Sequence, residues 1–371
     1  MRTPWPRSPH GLRWPIRVSG ALAVILALAS VAAGASVLAG PDRKPLVVAR
    51  CDIRTLRTLG GLYGNAMAVN RRGIAVGTTD DAHGVAQPVM WRDTTPQRLA
   101  TGLAGSIPLA VNAAGQVIGT GVDARASSPS GWVWSHGRTT RLRVRDHRIA
   151  GPESINDRGV VVGVVSPDEG TSHEATEGAG EDENDWAAMW PSPSSKPTVL
   201  SPLQGDQGAH AFAVDGNGRV GGISQGATTR PVIWDGPEQP RALPTLGGAY
   251  GIVRALGEDG VAVGDAVRAD GAYHAVLWDS AGRITDLGLP AGARSAKAKA
   301  ILSNGVIIGT AEMPKADGWH AQAVQWTAPG TVQVLPSTTG AAANAAMAVT
   351  VAGYRADGAG GRHPTLWRCG R

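Results

Sequence analysis

The sequence predicts an all-β protein made of seven repeats, each a small antiparallel sheet of four strands. The first indication is a tryptophan that ends an apolar strand at regular intervals, at Trp91, Trp134, Trp190, Trp234, Trp278, Trp326 and Trp367. The intervals are 43, 56, 44, 44, 48 and 41 residues, a size typical of small sheets that bury their faces only against a neighbour. The composition agrees, because 51 glycines and 25 prolines among 371 residues indicate many short strands joined by many turns.

Residues 1–40 have the pattern of a targeting segment. Four arginines and no acidic residue lie in residues 1–17, and an uncharged run of 23 residues follows at 18–40. Ala33 and Ala35 suit a cleavage site that would start the mature chain near Ser36. The run is also long enough to remain as a signal anchor, with the rest of the chain outside the cytoplasm. We therefore expect an exported protein, extracellular or held at the membrane by an uncleaved leader.

The charge of the chain changes once this segment is set aside. Residues 1–40 hold four basic and no acidic residues, so the formal net charge falls from +5 for the whole chain to +1 without them. No basic stripe remains that could neutralise a row of phosphates. Nucleic-acid binding is therefore not expected.

Each repeat contains four strand patterns, and the last repeat is one strand short. Repeat 1 reads NAMAVN, IAVGTT, QPVMW and RLATGL, whereas the seventh copy has NAAMAV, VAGYRA and HPTLW only. The missing outer strand is found at the other end of the chain, where Leu56 and Leu59 of DIRTLRTLGG occupy the places of Leu243 and Leu246 in RALPTLGG. The sequence thus predicts a seven-bladed β-propeller of four-stranded antiparallel blades, closed by the N-terminal strand completing the last blade. The expected organisation is a leader at 1–40, a short linker at 41–50 and the propeller at 51–371.

The two cysteines of the chain both lie at this junction. Cys51 begins the N-terminal outer strand, and Cys369 follows Trp367 by two residues. An exported chain is exposed to oxidising conditions, and two cysteines allow a single pairing. We expect a Cys51–Cys369 disulfide in place of the loop that joins the third and fourth strands of the other repeats.

Short motifs in the repeats resemble the extracellular HAF-type repeat family. They are TLGG at 58–61 and 245–248, a strand ending in V-N-x-x-G, a V-x-G strand, and HAVLW at 274–278. The likeness covers about residues 53–369. It implies an exported, β-propeller-like repeat protein, and it brings no reaction that could be assigned to residues of this chain.

Two recurring residue types have a structural and a functional interpretation. The seven repeat tryptophans could stack on sugar rings, but one per repeat at a fixed strand position favours packing between blades. Asn70, Asn112 and Asn156, each with glycine three residues later, could line a ligand site, but asparagine starting a turn and glycine at positive φ is the expected role. The position two residues before this asparagine is always small, at Ala68, Ala110, Ser154, Ala213, Ala255, Ala300 and, by counting, Ala348.

One acidic insertion interrupts the repeat pattern. Residues 167–185 of repeat 3 carry eight carboxylates, at Asp168, Glu169, Glu174, Glu177, Glu181, Asp182, Glu183 and Asp185. The run lacks the alternating oxygen ligands and terminal glutamate of a calcium loop, so a solvated loop is expected, with weak divalent-ion binding or partner contact as the alternative. No His, Cys or carboxylate pair has the spacing of a zinc site, and we expect neither metal nor cofactor.

The candidate binding residues lie on the innermost strands, near the predicted channel. The position three residues before the turn residue is variable, with Met67, Leu109, Glu153, Phe212, Arg254, Lys299 and Met347. Its charged members, together with Lys297, are the binding candidates: Glu153, Arg254, Lys297 and Lys299. Ligands of radial arrays enter at a channel mouth, where concave sites concentrate. Charged tips reaching solvent between blades would give the same pattern.

No catalytic set of residues stands out in the chain. Serines such as Ser154 and Ser224 lack the nucleophile-elbow context of a hydrolase. The sequence therefore favours an exported, monomeric, non-enzymatic binding or interaction module whose ligand is an unidentified protein or glycan. The alternative is a secreted carbohydrate-active hydrolase or lyase at the channel mouth, which would need a second carboxylate beside Glu153.

Overall fold

The computed structural model describes residues 49–123, 129–144, 148–167, 185–257, 259–315, 318–336, 341–347, 350–357 and 359–369. These residues belong to a compact unit that spans residues 43–371. They form strands and turns, with no helix anywhere in the described ranges. The predicted leader and most of the acidic insertion, residues 168–184, lie outside them.

The strands follow one another in groups of four, and we number the repeats by their tryptophans, from Trp91 in repeat 1 to Trp367 in repeat 7. The first strand, β1 (Cys51–Thr55), precedes repeat 1. Repeats 1 to 3 contain β2 (Gly60–Val69), β3 (Ala75–Asp81), β4 (Ala86–Trp91), β5 (Pro96–Arg98), β6 (Ala104–Val111), β7 (Val117–Val122), β8 (Pro129–Ser135), β9 (Arg138–Arg141), β10 (Arg148–Ile155), β11 (Val161–Pro167), β12 (Trp186–Trp190) and β13 (Thr198–Val199).

Repeats 4 to 7 continue the same pattern, with a shorter last member. They contain β14 (Gly208–Val214), β15 (Val220–Gln225), β16 (Thr229–Trp234), β17 (Pro240–Ala242), β18 (Gly247–Leu256), β19 (Ala262–Arg268), β20 (Tyr273–Trp278), β21 (Ile284–Asp286), β22 (Ser295–Ile301), β23 (Ile307–Lys315), β24 (Gly318–Ala328), β25 (Thr331–Val334), β26 (Ala341–Met347), β27 (Thr350–Ala356) and β28 (Arg362–Cys369). Within each repeat, consecutive strands pair antiparallel.

The N-terminal strand pairs with the last strand of the chain. Strand β1 runs antiparallel to β28, in a register that places Cys51 opposite Cys369 and Thr55 opposite Thr365. The two sulfur atoms lie at bonding distance and form a disulfide that joins residues 318 positions apart. The predicted pairing of these strands is therefore confirmed, and repeat 7 takes its fourth strand from the other end of the chain.

The seven repeat tryptophans are core residues, as predicted. Six are at most 1% exposed and Trp134 is 9% exposed. Each of those six also donates its indole N–H to a carbonyl just after the outer strand of the preceding repeat, at 2.7–3.0 Å: Trp91 to Arg57, Trp190 to Arg143, Trp234 to Ser201, Trp278 to Pro244, Trp326 to Gly288 and Trp367 to Pro336. The tryptophan thus joins neighbouring repeats by packing and by a directed hydrogen bond.

A buried leucine marks the end of every outer strand. Its backbone N–H donates to the carbonyl of the residue three positions before a repeat tryptophan, in all seven repeats: Leu56, Leu99, Leu142, Leu200, Leu243, Leu287 and Leu335. Each of these leucines is at most 5% exposed. Leu56, which precedes repeat 1, bonds to Pro364 of repeat 7 at 2.8 Å. The N-terminal strand therefore copies the contacts of the other outer strands in detail.

The two TLGG segments share one local structure. Gly60 and Gly247 have φ of 112° and 98°, in the region that favours glycine. The preceding threonine hydroxyl closes the loop, because Thr58 Oγ1 donates to the Gly61 carbonyl and Thr245 Oγ1 to the Gly248 carbonyl, each at 2.8 Å. The motif is thus explained by a tight connection between repeats.

The turns between first and second strands carry a row of side-chain hydrogen bonds from repeat to repeat. The first turn residue accepts backbone N–H groups through its own Oδ1, as predicted for a turn former. Its amide donates to the next turn: Asn70 Nδ2 to the Asn112 carbonyl at 2.8 Å, Asn112 to Asn156 at 3.1 Å and Asn156 to Asp215 at 2.9 Å. A turn residue therefore also connects neighbouring repeats, a role that the sequence did not indicate.

Repeat 4 continues this row by a different donor. Asp215 has no N–H on its side chain, and its fully buried carboxylate instead holds Arg219 at 2.7 Å. The guanidinium of Arg219 then donates to the Gly257 carbonyl at 3.2 Å. An arginine thus takes the place of the asparagine amide at this boundary.

Arg219→Gln is expected to lower the free energy of unfolding by about 2 kcal/mol, because it leaves the buried carboxylate of Asp215 without its counter-charge. The double variant Asp215→Asn/Arg219→Gln recreates the pair in repeat 2, where Asn112 Nδ2 donates to Gln116 Oε1 at 2.7 Å. We expect it to recover most of the loss. Denaturant titration of both single variants and the double variant measures the coupling, and additive losses would contradict this interpretation.

Candidate functional site: the innermost strands and the loop face

Every innermost strand contains a β-bulge at the same place. The antiparallel register shifts by one residue there, which leaves one residue unpaired: Met67, Leu109, Glu153, Phe212, Arg254, Lys299 and Asn344. All seven side chains are half-buried. A bulge turns the side chain of its extra residue out of the regular pleat of the sheet. The residue at this position differs in every repeat.

The V-x-G pattern of the second strand follows from this bulge. A Cβ on Gly77, Gly163 or Gly264 would overlap the carbonyl oxygen of the residue two positions before the bulge, namely Asn65, Gly151 or Ile252. The same holds in repeats 2, 4 and 6. The motif glycine is therefore needed for close backbone approach at the innermost strand.

The structure corrects the prediction for repeat 7. Met347 was expected at the variable position, but it pairs with Thr350, and the bulge lies between Ala343 and Ala345. Asn344 therefore occupies the position, and Ala345 rather than Ala348 is the small residue after it. Ala348 itself lies outside the described residues. The count failed because the hairpin of repeat 7 lacks the Asn-x-x-Gly turn that marks repeats 1 to 3.

Glu153 and Arg254 each have a partner nearby. Glu153 Oε1 of repeat 3 lies 3.5 Å from Nε2 of His210 in repeat 4, and the His210 ring stacks on Phe212 with centroids 4.2 Å apart. Arg254 Nε donates to Oδ1 of Asp265, a completely buried carboxylate on β19. The Arg254 charge is therefore held in place by a carboxylate that sequence reasoning did not single out.

Lys297 and Lys299 lie on one innermost strand, β22 of repeat 6. Both are half-buried, and Lys299 is the bulge residue. The Lys297 ammonium contributes to lowering the pKa of Glu312 on β23. The four candidates thus lie on the innermost strands of repeats 3, 5 and 6, and Asn344 joins repeat 7 to repeat 1 through its Nδ2, which donates to Asn65 Oδ1 at 2.6 Å.

Exposed apolar side chains are concentrated at one end of the sheets. We call this end the loop face, since it carries the connections between second and third strands and those between repeats; the Asn-x-x-Gly turns form the opposite end. Seven of the ten large hydrophobic residues that are exposed in the described ranges lie on the loop face: Leu62, Tyr63, Val85, Val122, Trp186, Tyr273 and Trp319. Ile107 is on an innermost strand, and Ile53 and Val199 are on outer strands. Exposed aromatic residues grouped in this way are typical of recognition surfaces.

Trp319 belongs to an ordered group on the long hairpin of repeat 6. Arg294 places its guanidinium carbon 4.6 Å from the centroid of the Trp319 ring. Arg294 Nε donates to Oε2 of Glu312 at 2.7 Å, and Ser295 Oγ donates to the same oxygen at 2.9 Å. Sequence reasoning missed this group, although Trp319 is one of the tryptophans outside the repeat positions.

The hydrogen bond from Arg294 holds the pKa of Glu312 below its ordinary value, with further lowering from Ser295 and opposition from burial. Arg294→Ala is therefore expected to raise the pKa of Glu312. A carboxyl whose pKa is lowered by folding stabilises the fold above its unfolded pKa and loses that contribution as the pH falls through the folded pKa. Carboxyl-detected NMR titration of both proteins measures the change, and an unchanged pKa would contradict the pairing.

Two further properties concern the described residues alone. No group of three His, Cys, Asp or Glu side chains among them is placed to hold a metal ion. The described part of the chain also contains no helix that is both long and apolar enough to cross a membrane.

The fold is similar to that of solved propeller-type proteins. A puromycin-hydrolysing peptidase from Mycobacterium tuberculosis matches with a TM-score of 0.53 and 11% identity, over 87% of this chain and 54% of the peptidase. The acylaminoacyl peptidase of Pyrococcus horikoshii matches with a TM-score of 0.50 and 12% identity, over 84% and 53%. A streptogramin B lyase structure matches with a TM-score of 0.48 and 10% identity, over 86% and 98%.

These likenesses concern the fold alone, because the identities are low. This chain spans about half the length of the two peptidases. No protein-family model matches the chain, and no curated protein sequence matches it. The strand arrangement and the fold likenesses together show an all-β repeat protein of the propeller type.

Proposed function

We propose that the chain is an exported, monomeric, HAF-type β-propeller of seven closed blades that acts as a binding module without chemistry of its own. The ligand site is the mouth of the central channel, on the bulge residues of the innermost strands. The observation that carries this proposal is the bulge itself, which recurs in every repeat while its side chain changes from Met67 to Glu153, Phe212 or Lys299. A constant backbone with a variable side chain is suited to recognition.

Closure of the ring is supported by the contacts between successive repeats. Each innermost strand contacts the next repeat, and β2 of repeat 1 contacts β26, β27 and β28 of repeat 7. The disulfide between Cys51 and Cys369 adds a covalent link at this boundary. Export is supported by the leader pattern in residues 1–40 and by the single cysteine pair, which requires oxidising conditions.

The alternative is a secreted hydrolase or lyase that acts on carbohydrate. Such an enzyme needs two carboxylates that flank the substrate in an open cleft. Glu153 lies against His210. Asp265, a carboxylate on the adjacent second strand β19 of repeat 5, is completely buried and paired with Arg254. This pairing favours a role for Asp265 in positioning Arg254 over a role in proton transfer.

A glycan array and a pull-down from envelope extract, run with the same purified protein, test the proposal. We expect a captured ligand that is retained without cleavage. Glu153→Gln and Lys299→Met should reduce its capture at least tenfold, whereas Lys196→Ala, an exposed lysine in the loop between the third strand and the outer strand of repeat 3, should not. Release of shortened glycan products would establish the enzymatic alternative, and equal capture by all variants would remove the channel mouth as the site.

A further inference from the structure

Trp319, Arg294 and Glu312 form a group of mutually contacting side chains on the loop face of repeat 6. Trp319 is 47% exposed, and the side chains of Arg294 and Glu312 are 50% and 46% exposed. The hairpin that carries Trp319 extends β23 and β24 to 9 and 11 residues, where other second and third strands have five to eight. The indole leaves apolar area in contact with water on a face where other apolar side chains are also exposed, and a ligand would cover that area.

The group is held in one arrangement before any ligand arrives. Glu312 fixes Arg294 through a hydrogen bond and ion pair of 2.7 Å, and Ser295 fixes Glu312 at 2.9 Å. Arg294 in turn lies over the indole at 4.6 Å, and a single guanidinium covers one face of a ring only. Ordering costs on binding are therefore small, because the rotamers of Arg294 and Glu312 are already restricted by these contacts.

The chemistry of the group indicates the class of ligand. The indole offers an apolar plane, Arg294 offers N–H donors and Glu312 offers acceptors, and the charges of this ion pair balance. Lys297, whose ammonium also acts on Glu312, lies two positions farther along β22 from the loop face. A pyranose ring has a C–H face that can cover the indole and a hydroxyl edge that both donates and accepts. An anionic sugar would meet the Glu312 carboxylate, and the Arg294 charge is already compensated. The balance therefore favours a neutral sugar.

We propose that Trp319, Arg294 and Glu312 form a binding subsite for a neutral glycan on the loop face, with the sugar ring stacked on Trp319. The proposal rests on the binding-module function and identifies the ligand class. Other rings at the same end of the sheets would extend such a site along a longer chain. The exposed Tyr273 and the half-buried Tyr250 of repeat 5 lie edge to face at 5.5 Å, and Arg362 lies 4.9 Å from the ring centroid of the half-buried Tyr354 in repeat 7.

Isothermal titration with four neutral hexasaccharides, of β-glucose, N-acetylglucosamine, xylose and α-glucose, tests the subsite. We expect at least one to bind, and Trp319→Ala to weaken its binding at least tenfold. Glu312→Gln should weaken it about three- to tenfold, because Arg294 loses its fixed position. Val199→Ala is the matched control, since Val199 is 46% exposed but lies on an outer strand. Melting curves confirm that each variant is folded.

The outcomes separate this inference from the proposed function. Absence of binding to all four hexasaccharides would overturn the subsite, as would equal binding by wild type and Trp319→Ala. If Glu153→Gln abolishes binding of a hexasaccharide and Trp319→Ala leaves that binding unchanged, the subsite is overturned and the channel mouth is supported as the ligand site. Stronger binding of a galacturonate hexamer than of every neutral hexasaccharide would overturn the assignment to neutral sugars.

Discussion

Replacing both cysteines by serine is expected to lower the free energy of unfolding by up to about 5 kcal/mol. The disulfide closes a loop of more than three hundred residues, because Cys51 and Cys369 are 318 positions apart. Its removal increases the conformational entropy of the unfolded chain. Strand β1 then remains attached to β28 only through backbone pairing and the packing of Leu56.

Denaturant unfolding of wild type and Cys51→Ser/Cys369→Ser, each with and without a reducing agent, measures this effect. The reducing agent should destabilise the wild type to the level of the variant and leave the variant unchanged. Proteolysis should begin near residue 51 in the variant, since β1 is the strand that has lost its covalent link. A difference in unfolding free energy below about 1 kcal/mol would contradict a stabilising role for the bridge.

Trp234→Ala is expected to cost about 3–5 kcal/mol, because it removes a large side chain that is 1% exposed and leaves a cavity between repeats. The matched pair Trp234→Phe and Trp134→Phe separates packing from hydrogen bonding. The Trp234 indole N–H donates to the Ser201 carbonyl at 2.7 Å, whereas the Trp134 indole N–H has no hydrogen-bond partner within the described residues. The loss at Trp234 should exceed that at Trp134 by about 1 kcal/mol.

Thermal and denaturant unfolding of the three tryptophan variants provide this comparison. The unpaired indole N–H of Trp134 in repeat 2 has a structural explanation. The carbonyl that corresponds to that of Ser201 belongs to Ala100, and it accepts a hydrogen bond from Thr139 Oγ1 at 3.2 Å. Thr139→Val should therefore lower the free energy of unfolding by little more than the contribution of that hydrogen bond. Equal losses for the two phenylalanine variants would mean that the indole hydrogen bond does not contribute to joining the repeats.

The repeat architecture could be predicted from the sequence because its determinants occur once per repeat. The tryptophan at the end of the third strand and the leucine after the fourth recur at fixed spacing, and each has one structural role throughout. The pairing of β1 with β28 could also be predicted, since the leucines of the N-terminal segment match those of a complete repeat. Residues that recur in every repeat indicate packing contacts, because those contacts are the same in every repeat.

Features that occur once were harder to predict. Met347 was misplaced because repeat 7 has no turn marker, and the register is set by pairing across the strands. The partner of Arg254 is Asp265, an acidic residue directly after Gly264 in the apolar stretch 262–267 of the second strand. Sequence reasoning could have used that acidic residue as a signal. Trp319 gives a similar signal, as a tryptophan outside the regular interval. Export, partners and the role of residues 168–184 remain predictions.

The pairing of β1 with β28 also has a consequence for the order of synthesis and folding. Strand β1 is among the first parts of the folded unit to be made, and its partner follows more than three hundred residues later. During that delay β1 is an unsatisfied sheet edge, which can attach to any strand that becomes available. Pairing of β1 with β28 is therefore a non-local step of folding, and non-local strand pairing is slow and leaves unpaired backbone open to other strands in the meantime.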